Sequence, residues 1–228
     1  VALGRSGVAE HAMPLPVGRR HNVQLALGIQ QILDKAGVRL DDLGAIAVAL
    51  GPGSFTGIRV GVTTAKALAY VRGLDLIGVP SMDVIVQDTP AQIDQVAVVM
   101  NAKRGTVYAG RFERDASSPI GFAEAGTRGL VPIEEVVSWG LPVIAEAGTA
   151  DSLDGLPEGQ LLISDDPAGN DSRDPSSGGS GGRSVLKGAE VQRGRGVLAD
   201  PATLAPLYIR EPEAVTLWQA RGPRNPRK

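Results

Sequence analysis

Apolar residues alternate with glycine-bounded breaks along the first hundred positions, and the spacing predicts strand and helix in turn. Val1-Ala2-Leu3 opens in the middle of an element, without Met, which reads as a chain that has lost upstream sequence. Gly4–Gly7 reads as a hairpin turn into a strand at Val8–Leu15. Arg20–Ala36 carries Leu25, Ile29, Ile32 and Ala36 on one face with Leu33 at its edge, a helix that Gly37 ends. Ala45–Leu50 is a short apolar run, a buried strand. Gly57–Arg72 is a second helix, ended by Gly73. Leu76–Val79 reads as a strand, Ser81–Gln87 as a short helix capped by Ser81, and Gln95–Met100 as a strand. Such alternation implies a sheet with parallel members and helical crossovers.

The texture then changes. Thr106–Phe112 alternates as a half-exposed strand does, Pro132–Trp139 reads as a short helix and Pro142–Ala147 as a strand. Asp165–Arg183 holds no apolar residue except Ala168, too little burial to offset the entropy of ordering it, and is expected to be a flexible loop. Ser184–Arg195 is expected to be the final helix and Pro206-Leu207-Tyr208-Ile209-Arg210 an extended end piece. The stretch 213–228 is expected to be a disordered basic tail, with Arg221, Arg224, Arg227 and Lys228 at its close. The expected organisation is a first lobe over 1–100, with the helix 184–195 packing back on it, and a second lobe over 101–183.

Composition narrows the chemistry. The 228 residues carry a net charge of −2, so the surface as a whole is no electrostatic trap for nucleic acid. There is no Cys, which excludes disulfides, Cys-ligated zinc, iron–sulfur clusters and a thiol nucleophile. The apolar runs are too short to span a bilayer and no charged-then-apolar leader opens the chain, so no membrane contact and a cytoplasmic place are expected. The two histidines, His11 and His21, lack metal-ligand spacing and read as surface or capping residues. The pairs Asp41-Asp42, Glu134-Glu135 and Asp165-Asp166 read as solvated or helix-start charge. Lys103-Arg104, on a loop, reads as solvated. No residue is assigned to catalysis and none to a metal.

The most specific feature follows the strand Ala45–Leu50: Gly51, Pro52, Gly53, Ser54, Phe55, Thr56 and Gly57, then Ile58, Arg59, Val60 and Gly61. Glycine and proline let the backbone turn sharply, and Ser54 or Thr56 can cap the helix beyond. Two readings stand: a tight turn into a capped helix, or a cradle of backbone N–H groups for an anion. The loop lacks the Lys of a phosphate-binding Walker loop and the Gly-x-Ser-x-Gly of a nucleophile elbow. On the helix, Gly57, Gly61, Ala65 and Ala69 form one strip of small residues, which lets another backbone approach. That backbone is either the chain's own sheet or a partner. Arg59, Thr63, Lys66 and Tyr70 form a second, polar strip. On the first helix, Val23 and Leu27 are apolar on the face opposite the core stripe, as on a helix buried once by its own fold and once by a partner.

This loop, with Ala65-Lys66-Ala67-Leu68-Ala69 behind it, resembles the signature of the TsaB (YeaZ) family. His21, Gly78-Val79-Pro80-Ser81, Ala102-Lys103-Arg104-Gly105-Thr106-Val107-Tyr108 and Pro206-Leu207-Tyr208-Ile209-Arg210 resemble further family positions. The resemblance covers most of residues 1–112 and 196–212. Two departures stand out: the family's first strand with its Asp is missing here, and Asn101 replaces an Asp. The resemblance implies an α/β, two-lobed actin-like ATPase (ribonuclease H-like) fold. It also implies a non-catalytic subunit that binds and activates the paralogue TsaD, which transfers a threonylcarbamoyl group to the adenosine next to the anticodon of tRNAs reading codons that begin with A. The ATPase TsaE completes that system, tRNA is met only indirectly, and a homodimer is the form expected of the chain alone. No cofactor of the chain's own is implied; ATP or ADP is the ligand to look for in the complex. The partner surface then falls on Val23, Leu27, Gly57, Gly61 and Ala65 with the loop. The alternatives are a metallopeptidase-like or sugar-kinase-like enzyme of the same superfamily, or a homodimeric scaffold.

Overall fold

The structure is a computed structural model that describes residues 1–15, 21–102, 106–126, 128–146, 153, 156, 160–164 and 180–209; for 21–23, 146, 163, 164, 180 and 181 it describes the backbone alone. Strands β1 (Ala2–Arg5) and β2 (Val8–Ala12) form an antiparallel hairpin. Its two turn residues, Ser6 and Gly7, both have positive φ (47° and 76°), the mirror-image turn whose twist suits a hairpin. Helix α1 (His21–Ala36) buries Ile32 and Leu33 and ends, as its pattern predicts, at Gly37 in the left-handed region.

Strand β3 (Ala45–Gly51) lies parallel to β4 (Asp75–Pro80), and α2 (Phe55–Arg72) makes the crossover that parallel pairing requires. Strand β4 runs straight into α3 (Ser81–Ile85), which tightens into a 3-10 turn over Val86–Asp88. The residue at the cap of α3 is Pro80, with no side-chain bond, so Ser81 does not cap as its sequence position suggests. Proline serves there because its fixed φ is already compatible with helix entry.

A second sheet runs in the order β10-β9-β5-β6-β7, where β5 is Gln95–Asn101, β6 Thr106–Arg114, β7 Phe122–Glu124, β9 Val143–Glu146 and β10 Leu161–Ser164. Strand β8 (Gly129–Pro132) also pairs with β6 and leads into α4 (Ile133–Ser138). Period-two geometry sends Val96, Val98 and Met100 of β5 into one core, with Met82, Ile85 and Phe112, and Ala97 and Val99 into the other, with Val107, Val136 and Val143. Both faces of β5 are therefore covered, which is why its run is continuously apolar. The sequence placed this strand in the first lobe; it belongs with β6 and β9 in the second sheet.

The last helix, α5 (Ser180–Gly194), packs on β4, α3 and the β1–β2 hairpin. It starts four residues before the expected Ser184, so Ser180–Arg183 is helix and not loop; the rest of the expected loop, 165–179, lies outside the described residues, as does the expected tail. Two glycines of this helix lie where a side chain would collide. A Cβ on Gly182 would stand 3.0 Å from Ala2 Cβ, and one on Gly188 only 2.5 Å from Val79 Cγ1. Glycine inside this helix lets it approach the hairpin and β4 more closely than a larger residue would. Between the two sheets, Arg128 Nη2 donates to Asp83 Oδ1 of α3 at 2.6 Å, beneath almost complete burial of Asp83. Among the described residues no helix is long and apolar enough to cross a membrane.

Candidate functional site

The glycine-rich loop leaves β3 at Gly51 (φ 103°), passes a cis Gly51–Pro52 peptide and enters α2 with Ser54 as its cap. Ser54 Oγ accepts from the Gly57 N–H at 3.4 Å, and Ser54 O accepts from the Ile58 N–H at 2.9 Å. Of the two candidate caps it is Ser54 that acts. At its far end the helix closes on Gly73 (φ 63°), with Arg72 paired to Asp41. Thr56 and Gly57 are exposed beside the cap.

The small strip on α2 is spent inside the fold. Ala65 and Ala69 are buried with Leu76, Ile46 and Val48 of the β3–β4 pair, and a Cβ on Gly61 would meet Val48 Cγ2 at 3.6 Å. Ala65 therefore has no surface left for a partner, and Gly61 faces its own sheet; both leave the expected partner surface for this reason. Gly57, one turn earlier, stays exposed. Replacing Gly61 with Leu is expected to lower stability by about 1–3 kcal/mol through overpacking against Val48, read by urea denaturation. A stability equal to wild type would contradict this placement.

The polar strip holds the chain's own closing segment. Arg59 Nε donates to Tyr208 Oη at 2.7 Å, with the Arg59 guanidinium carbon 3.9 Å from the Phe55 ring centre and the Phe55 and Tyr208 rings 5.4 Å apart. Lys66 Nζ donates to Leu204 O at 2.7 Å, Leu207 N to Leu50 O at 2.8 Å, and Ala199 N to Leu76 O at 2.8 Å. The segment Ala199–Ile209 thus runs from the edge of β4 over α2 to the glycine loop. Tyr70 and Val71 remain exposed at 78% and 72%. The Phe55–Arg59 pairing is one helical turn apart and could be read from sequence; the role of Tyr208, 149 residues from Arg59, could not.

On α1, Leu27 is 55% exposed while Ile32 and Leu33 are core. The side chain of Val23 lies outside the described residues. The carboxylates serve the fold: Asp42 accepts from the Arg39 backbone N–H at 2.9 Å, and Glu134 and Glu135 occupy the first turn of α4. Asp165 and Asp166, Lys103 and Arg104, and the side chain of His21 lie outside the described residues. Among the described residues no three His, Asp or Glu side chains gather as a metal site would need.

Known proteins place this geometry. The family model described as TsaD, tRNA N6-adenosine threonylcarbamoyltransferase, matches residues 10–126, just over half of the chain and the part that holds α1, the loop and α2. The Bacillus subtilis tRNA threonylcarbamoyladenosine biosynthesis protein TsaB is 32% identical over 95 residues, which are 42% of each chain, so the match spans less than half of that relative. An uncharacterized protein of Mycobacterium tuberculosis is 31% identical over 199 residues, 87% of this chain and 79% of that one. The solved structure of YeaZ from Pseudomonas aeruginosa superimposes with a TM-score of 0.63 over 84% of this chain and 85% of that one at 22% identity, a likeness of fold. The architecture is the α/β, two-lobed actin-like ATPase (ribonuclease H-like) fold. With the family model matched across α1, the loop and α2, and the curated TsaB relatives beside it, the chain belongs to the TsaB (YeaZ) family.

Proposed function

We propose that this chain works in tRNA threonylcarbamoyladenosine biosynthesis as a non-catalytic subunit that binds and activates the TsaD paralogue. The observation that carries the reading is Leu27, a large apolar side chain 55% exposed on a helix whose opposite face is already core. An apolar residue so placed gains by a second burial, and about half of the roughly 1.5–3 kcal/mol for burying a whole leucine is still available at 55% exposure. The exposed Phe55, Tyr70 and Val71 on the neighbouring α2 extend the same character. In this reading the chain supplies a helical surface and TsaD the reacting groups. TsaE is the third member, ATP or ADP the ligand of the assembled complex, and tRNA is contacted through the partner. The cytoplasm, where tRNA is modified, is the proposed place of action.

Mixing the purified chain with purified TsaD and following mass by light scattering on a sizing column tests this. A heterodimer peak is expected, at the cost of any homodimer of the chain alone. Two unmixed peaks would contradict the reading, and a homodimer that persists in excess TsaD would favour a scaffold.

A further inference from the structure

We draw no further inference here: the strongest candidate, the cavity of about 470 Å³ between β1, β3 and α5 that Leu3, Ala45, Ala47 and Ala189 line, carries nothing because nothing in the structure shows what covers it.

Discussion

A chain carrying Leu27→Glu is expected to fold as the wild type does and to lose its pairing with TsaD. Leu27 is 55% exposed, so the folded chain has little to lose there, and surface substitutions of this kind usually stay within about 0.5 kcal/mol. In the complex the same position is proposed to be covered. The variant then forfeits the burial of a leucine and must also strip water from a carboxylate. Truncation at the few positions that dominate an interface costs about 2 kcal/mol or more, about thirtyfold in affinity, and at Leu27 the introduced charge adds to whatever the lost leucine contributes. The check is the sizing-column mixture together with circular dichroism of the free variant. An unaltered spectrum with no heterodimer is the expected pair of results; an unaltered heterodimer would remove α1 from the surface.

The largest effect on folding is expected at the contact between the sheets. Arg128 is 17% exposed and its Nη2 lies 2.6 Å from Asp83 Oδ1, itself 3% exposed; its Nε is 3.0 Å from Glu124 Oε2 and its guanidinium carbon 5.0 Å from the centre of the Phe112 ring. Arg128→Ala leaves a carboxylate buried without its counter-charge. Breaking a buried pair from one side costs about 3–5 kcal/mol. For a chain of this size that is roughly 6–20 °C in melting temperature. The double variant Asp83→Asn with Arg128→Met removes both buried charges and should recover much of the loss, because the carboxylate still without a counter-charge, Glu124, is 38% exposed and keeps water. Scanning calorimetry of the single and double variants decides it. A single variant as stable as wild type would show that Asp83 finds other compensation.

The glycine loop and its helix were legible in sequence because their causes are local. Gly51 and Gly53 adopt φ of 103° and 159°, and Ser54 caps three residues ahead; each follows from the residue at that position. A hairpin turn was legible for the same reason, though Gly4 and Arg5, which read as part of the turn, belong to β1, and β2 ends at Ala12 and not at Leu15. What was not legible depends on contacts between distant parts. Gln95–Asn101 announces a buried strand, but nothing in its own residues says which sheet it joins; Val107, Ala109 and Val143 decide that. Strands β7, β8 and β10 are three or four residues long, too short to show a period. The start of α5 was misplaced because Gly181 and Gly182 are poor helix formers, and the close passage of Ala2 that favours glycine is a tertiary fact.

The candidate site divides in the same way. A strip of Gly57, Gly61, Ala65 and Ala69 states that a backbone comes close, without stating whose, and here β3 and β4 take up most of it. Leu27 was readable as an odd apolar residue on the wrong face of its helix, and the structure leaves it exposed. The union of the loop with Leu207 and Tyr208 needs the fold, although each stretch by itself resembles a family motif.

The central claim is that this chain contributes a surface and not the chemistry, and one reconstitution tests it most directly. TsaD, TsaE, ATP, threonylcarbamoyl-adenylate and substrate tRNA are combined in one tube with the chain and in another without it, while a third tube holds the chain alone with the same small molecules and tRNA. Modified adenosine, measured by mass spectrometry of digested tRNA, is expected only in the first tube. Full modification without the chain, or turnover by the chain alone, would contradict the account.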